Sequence, residues 1–142
     1  MKKLLCILIC LPLIFNSCKK EDDNTSVSTN NDTSGSIIGT WKIASLTGTD
    51  ATDNYSQLYP TVNGDSWRYT FRWDGGFTKD TYTHDTLYYS TEGSYLKDAY
   101  TLTLLDSSTF MSTDYTLLTL TNSTLAITAV EGGITWAWTY NK

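Results

Sequence analysis

Ser66-Trp67-Arg68-Tyr69-Thr70-Phe71-Arg72-Trp73 alternates without a break: odd positions are aromatic, even positions polar or cationic. A helix would scatter those rings around its circumference, whereas a strand gathers them on one face, because successive side chains point to opposite sides. The stretch therefore reads as a half-buried antiparallel strand. Ile134-Thr135-Trp136-Ala137-Trp138-Thr139-Tyr140 repeats the pattern with its even positions apolar.

The same reading extends outward over most of the chain. From Ile37 onward helix formers are scarce, while Thr, Tyr, Trp, Ile and Val abound, as in strands. Turn signals at Asp74-Gly75-Gly76, Lys97-Asp98, Asp106-Ser107-Ser108, Asn122-Ser123 and Glu131-Gly132-Gly133 each separate two strand-like runs. Eight strands are expected, near 39–46, 66–73, 76–83, 86–95, 99–105, 113–120, 123–130 and 133–140. Their short links favour an all-β, eight-stranded, antiparallel up-and-down barrel, which leaves no exposed edges. Leu117, Leu118 and Leu120 put apolar residues on both faces and predict a bulge or an exposed contact. Gly93 interrupts the fourth strand and predicts a sharp bend.

Upstream, Lys2 and Lys3 precede an apolar run from Leu4 to Phe15, then Asn16-Ser17 and Cys18. That order is a secretory signal, with an apolar run too short to span a bilayer. Cys18 resembles the acceptor of a bacterial lipoprotein signal, which is acylated with chains such as palmitate. The expected division is 1–17 signal peptide, 18–36 lipidated cysteine and flexible tether, and 37–142 barrel. All three cysteines (Cys6, Cys10 and Cys18) lie in or beside the signal, so no disulfide is expected within the barrel. Loss of Lys2 and Lys3 leaves eight bases against fifteen acids, a net charge of −7. Such a surface excludes nucleic acid as a partner and repels anionic lipid, so membrane attachment would rest on the acyl chains. Lys19 to Ser36 contains a single aliphatic residue, Val27, and reads as a coil reaching roughly 20–25 Å. Lys20-Glu21-Asp22-Asp23 resembles the export signal of Bacteroidetes-type surface lipoproteins. That likeness implies an outer-membrane protein displayed on the cell surface, the alternative being the periplasmic face.

Within the barrel region, Ile38-Gly39-Thr40-Trp41-Lys42-Ile43 carries a Gly-x-Trp signature at the start of the first strand. A later Tyr69-x-Phe71 strand, an Asp-Gly turn, Gly93-Ser94-Tyr95 and Leu102-Thr103-Leu104 follow in order. Taken together, these resemble the lipocalin-like domains of bacterial lipoproteins over essentially all of 37–142. The resemblance implies a large first link, Gly48 to Asp65, lidding the open end of the barrel. Lipocalins also place an arginine near the last strand, against the signature tryptophan. Here only Lys142 follows, which would leave Trp41 without its usual cation. A transmembrane barrel alternates equally well, but its strands need about 9–11 residues and commonly close on an aromatic residue, unlike Asn141-Lys142.

Trp41, Trp67, Tyr69, Phe71, Trp73, Trp136 and Trp138 form the candidate ligand-binding set. Inward-facing aromatics can wall a cavity for an apolar or amphipathic molecule, or merely fill a barrel of this size. Arg68 and Arg72 fall on the opposite face, where salt bridging to nearby acids is expected. His84 is the sole histidine and is expected in a turn, with no second histidine for a triad or zinc site. Asp74-Gly75-Gly76 and Glu131-Gly132-Gly133 lack the oxygens calcium demands. No phosphate loop or dinucleotide fingerprint occurs. Neither cofactor, metal nor catalysis is therefore expected. Asp85-Thr86-Leu87 resembles an O-glycosylation site of exported proteins in that bacterial group. The leading expectation is non-catalytic binding of a small ligand in a barrel cavity. The alternative is a filled barrel that binds a protein or glycan through its loops.

Overall fold

The computed structural model describes residues 32–50 and 52–142. The signal, Cys18 and the tether up to residue 31 lie outside the described residues. Nine strands follow one another: β1 (Gly39–Thr49), β2 (Asn54–Leu58), β3 (Ser66–Phe71), β4 (Gly76–Thr83), β5 (Thr86–Lys97), β6 (Thr101–Asp106), β7 (Ser112–Leu120), β8 (Thr124–Glu131) and β9 (Ile134–Asn141). Every pairing is antiparallel, and β9 returns to pair with β1. Eight of these strands close an up-and-down barrel, and β2 is an added ninth.

The strand faces explain the closure. Trp41, Tyr69, Phe71, Phe77, Leu102, Leu104, Leu117, Leu125, Ile127 and Tyr140 are buried in one core cluster. Lys42, Arg68 and Asp80 stand opposite one another in neighbouring strands on the outward face, as do Thr103 and Asp114. Charges there suit water and not hydrocarbon, so the alternation is that of a barrel with an apolar inside. Leu118 is the extra residue of a β-bulge between Leu117 and Thr119, which lets Leu117 and Leu120 both face the core. Gly93 lies within continuous β5, and a side chain there would run into the Leu105 carbonyl and the Phe77 ring. Its smallness lets β6 and the core approach the strand closely.

The first link departs from expectation. In place of a lid, β1 runs on to Thr49 and β2 folds back along it, from Thr49↔Asn54 to Ser45↔Leu58. The Asp50 carboxylate makes that reversal, accepting from the N–H groups of Thr52 and Asp53 at 2.7 Å each. At the Ala44 bulge the Ala44 carbonyl accepts from the Tyr59 N–H, and the chain turns away to begin β3. β2 and β3 thus share one side of β1 end to end. Only 59–65 remains as loop, held to the β4–β5 turn by the Asp85 N–H donating to the Gly64 carbonyl.

The opposite end is plugged. Residues 32–38, whose first part was expected as tether, run against the barrel. The Leu120 N–H donates to the Asp32 carbonyl at 2.6 Å, and the Gly35 N–H donates to the Leu120 carbonyl at 2.8 Å. Ile37 is buried, and its carbonyl accepts from the Trp41 indole at 2.6 Å. The Lys142 Nζ lies 4.6 Å from the Trp41 ring centroid. The expectation that Trp41 lacks a cation is therefore corrected: a lysine after the last strand takes the arginine's place. Gly39 has a φ of +129°, and any side chain on it would strike the Lys142 stem. The glycine of the Gly-x-Trp signature serves both the backbone conformation and that packing.

Candidate functional site

Above the plugged floor the interior is incompletely filled. A cavity of about 260 Å³, open to solvent on one side, lies among β3 to β7. Its walls include Tyr69, Phe77, Lys79, Thr91, Leu104 and Asp106. It exists because the two sides of β5 pair differently. β4 accompanies β5 from Ser94 to Thr86, whereas β6 pairs with it only from Lys97 to Gly93. Beyond Gly93 the β6 chain leaves into the 107–111 loop, and the wall parts.

Lys79 is the side chain that gives this cavity its chemistry. It stands opposite Tyr69 across β3–β4 and shares the inward phase of Phe77. Its Nζ lies 5.6 Å from the Tyr69 ring centroid and 5.9 Å from that of Trp67. Burial pushes its pKa below the usual lysine value, while Glu131 and Asp106 pull it back up. Neither acid reaches ion-pair distance: among the described residues the one salt bridge joins Arg72 to Asp74 at 3.6 Å. Asp106 is engaged at the rim instead: its Oδ1 accepts from the Ser108 hydroxyl, the Ser108 N–H at 2.7 Å and the Thr109 N–H at 3.1 Å, and these bonds, the hydroxyl's foremost, hold its carboxyl below the usual range. Burial lifts the Tyr69 phenol well above its ordinary value and raises Tyr115 as well. Both hydroxyls are neutral, and because they also interact with each other the pair leaves one O–H to donate to a ligand.

The seven expected residues do not share one wall. Tyr69 lines the cavity. Trp67 sits beside it, close to Lys79, with its indole donating to the Tyr140 hydroxyl at 3.2 Å and its ring 4.7 Å from that of Tyr59. Trp138 packs edge-on to Tyr115, another wall residue, at 5.5 Å. Trp41 and Phe71 belong to the floor, Trp41 with no exposed surface. Trp136 stands apart, against Tyr55 at 5.8 Å, over Gly48, where any side chain would collide with the indole. Trp73 departs from the expected inward face and is 87% exposed. The strand ends at Phe71, and Arg72 donates its N–H to the Gly76 carbonyl to open the turn, so the alternation stops one step short.

Sequence reasoning missed Lys79, Tyr115, Asp106 and Thr91. Their signal was phase alone: Lys79 is two residues from buried Phe77, Asp106 two from buried Leu104 and Tyr115 two from buried Leu117, while Thr91 is two from Gly93. Arg68 stacks over the Tyr82 ring at 4.2 Å instead of meeting an acid. His84 and Asp85, at φ of 52° and 60°, form the two-residue turn between β4 and β5, and Thr86 is exposed just beyond it. No group of three metal-ligating side chains gathers among the described residues.

A closed eight-stranded up-and-down barrel, plugged at one end beside a Gly-x-Trp tryptophan and open to a cavity above, defines the lipocalin-like fold. Solved structures agree. A lipocalin-like protein from Bacteroides uniformis superposes with a TM-score of 0.51 at 16% identity, covering 72% of this chain and 96% of that one. An uncharacterized protein from Bacteroides eggerthii superposes with a TM-score of 0.52 at 12% identity, covering 73% and 98%. At such identities the likeness is one of fold. No family model matches the chain, and neither does any curated protein.

Proposed function

We propose that this chain is a non-catalytic, lipid-anchored envelope protein that holds one small amphipathic molecule in the open half of its barrel. The observation that carries the reading is the solvent-open cavity of about 260 Å³ above a filled floor. An apolar cavity of about 150 Å³ takes benzene, so the space suits one or two rings or a short chain. A long acyl chain would not fit. Aromatic and aliphatic wall residues supply burial, while Lys79, Thr91, Asp106 and Tyr115 supply the few polar contacts that orient a ligand.

Thr113 faces the same space, so Thr113→Trp should fill it without disturbing the floor. Small aromatic acids and alcohols should raise the melting temperature of the native chain and leave that variant unmoved. A panel that shifts neither protein contradicts the reading. The signal-like N-terminus supports anchoring through Cys18 and display on the outer membrane. Labelling with radioactive palmitate should be lost in Cys18→Ala, and protease added to intact cells should release the barrel. Unlabelled native protein, or a barrel protected from protease, would contradict each part in turn.

A second reading has its own observation. Trp73 in the β3–β4 turn and Phe110 in the β6–β7 loop, at opposite ends of the barrel, are 87% and 82% exposed, and either loop suits contact with a protein or glycan. It predicts that Trp73→Ala or Phe110→Ala abolishes capture of a partner while Thr113→Trp does not.

A further inference from the structure

Lys79 presents an unusual balance of forces. A lysine ammonium normally remains in water or meets a carboxylate, because removing it from solvent without a partner is costly. Here the stem rises from the inward face of β4 into the cavity, and the ammonium lies near two aromatic rings. Those rings present their negative faces and offset part of the lost hydration. Asp106 on β6 and Glu131 at the end of β8 favour the charged form from beyond ion-pair distance. The result is a cavity amine whose donors have no acceptor among the described residues. Asp106 makes no ion pair with them: its Oδ1 accepts from Ser108 and Thr109, and neither carboxylate oxygen comes within 4.0 Å of the Lys79 Nζ.

We infer that Lys79 is the anchor for a single anionic head group, so that the molecule held in this cavity is a small monoanionic acid with a ring or short apolar body. The inference rests on the cavity reading above and sharpens it. The head lies against the Lys79 Nζ, within reach of the Tyr115 and Tyr69 hydroxyls that burial keeps protonated. The apolar body packs on Phe77 and Leu104. A neutral ligand would bury the same rings and leave the ammonium unpartnered. A dianion would face Asp106 and Glu131 with charge to spare.

Calorimetry with 2-naphthoate and its uncharged isostere 2-naphthamide separates the two levels of the argument. The native full-length chain should bind the carboxylate at least about tenfold more tightly than the amide, as a hydrogen bond to a charged group implies. Lys79→Met should abolish that preference while keeping affinity for the amide, and Lys79→Arg should retain it. Near-ultraviolet circular dichroism checks that each variant is folded. If the native chain binds both probes equally, the anion inference is overturned and the cavity reading stands. If it binds neither at millimolar concentration, both fall. Should Lys79→Met not fold, the comparison of the two probes on the native chain and on Lys79→Arg still decides.

Discussion

Replacing Trp41 with alanine tests the division of the barrel into a filled floor and an open cup. The indole is wholly buried, donates to the Ile37 carbonyl and lies beneath the Lys142 ammonium. Large-to-small changes of this type cost about 3–5 kcal/mol. Stranding the Ile37 carbonyl adds about 1 kcal/mol. The sum of about 4–6 kcal/mol compares with a total stability of about 5–15 kcal/mol for an ordinary domain. At a urea dependence of about 2 kcal/mol per molar, the midpoint should fall by roughly 2–3 M. Far-ultraviolet circular dichroism is the assay, because the substitution removes a fluorophore. Trp73→Ala, made alongside, should cost under about 0.5 kcal/mol, since that ring is exposed. A cost below about 2 kcal/mol for Trp41→Ala would refute the packed floor.

Lys142→Ala should destabilise by about 0.5–1 kcal/mol, measured by urea unfolding, and the loss should vanish in a Trp41→Leu background. Gly48→Val should cost about 1–3 kcal/mol and shift tryptophan emission, because its side chain would displace Trp136. His84→Asn with Asp85→Gly should raise stability by about 1 kcal/mol or more, since both positions hold positive φ, and differential scanning calorimetry would report it. Tyr69 and Tyr140 have folded pKa values raised above the ordinary tyrosine value of 10.0 by burial. Their stabilisation is complete below pH 10 and is lost as the pH climbs from there towards the folded values, because the unfolded chain ionises first. The unfolding free energy should therefore decline above pH 10, these two side chains contributing up to about 3 kcal/mol per pH unit, and Tyr140→Phe should remove about half of that contribution. Lys79 has the opposite sign, its folded pKa lying below the ordinary 10.5. Lys79→Met should be more stable than the native chain at pH 7, and that advantage should shrink as the pH rises through the depressed pKa.

Residues 66–71 and 134–140 carried enough period-two signal to place two strands and their faces, and the turn signals between runs placed most of the others. Repetition was the reason: each strand buries one face, and that constraint is written into alternate residues. Asn54-Tyr55-Ser56-Gln57-Leu58 escaped because β2 has nothing to bury. It is exposed on nearly every residue and is held by backbone bonds to β1. Ser34, Gly35 and Ser36 look like tether, and only Ile37 hints that they lie against the floor. Trp73 was misplaced because alternation continues through a turn as readily as through a strand. Lys79 was overlooked for a physical reason: a charged side chain in the inward phase contradicts the burial rule used to find the others. At a ligand site that contradiction is the signal.

Native mass spectrometry of the protein purified gently from its own cells tests the open cup most directly. An open cup should carry one small molecule per chain, seen as a mass excess that leaves on denaturation, whereas covalently attached acyl chains would remain. A bare protein mass that is also unchanged after incubation with 2-naphthoate would contradict it.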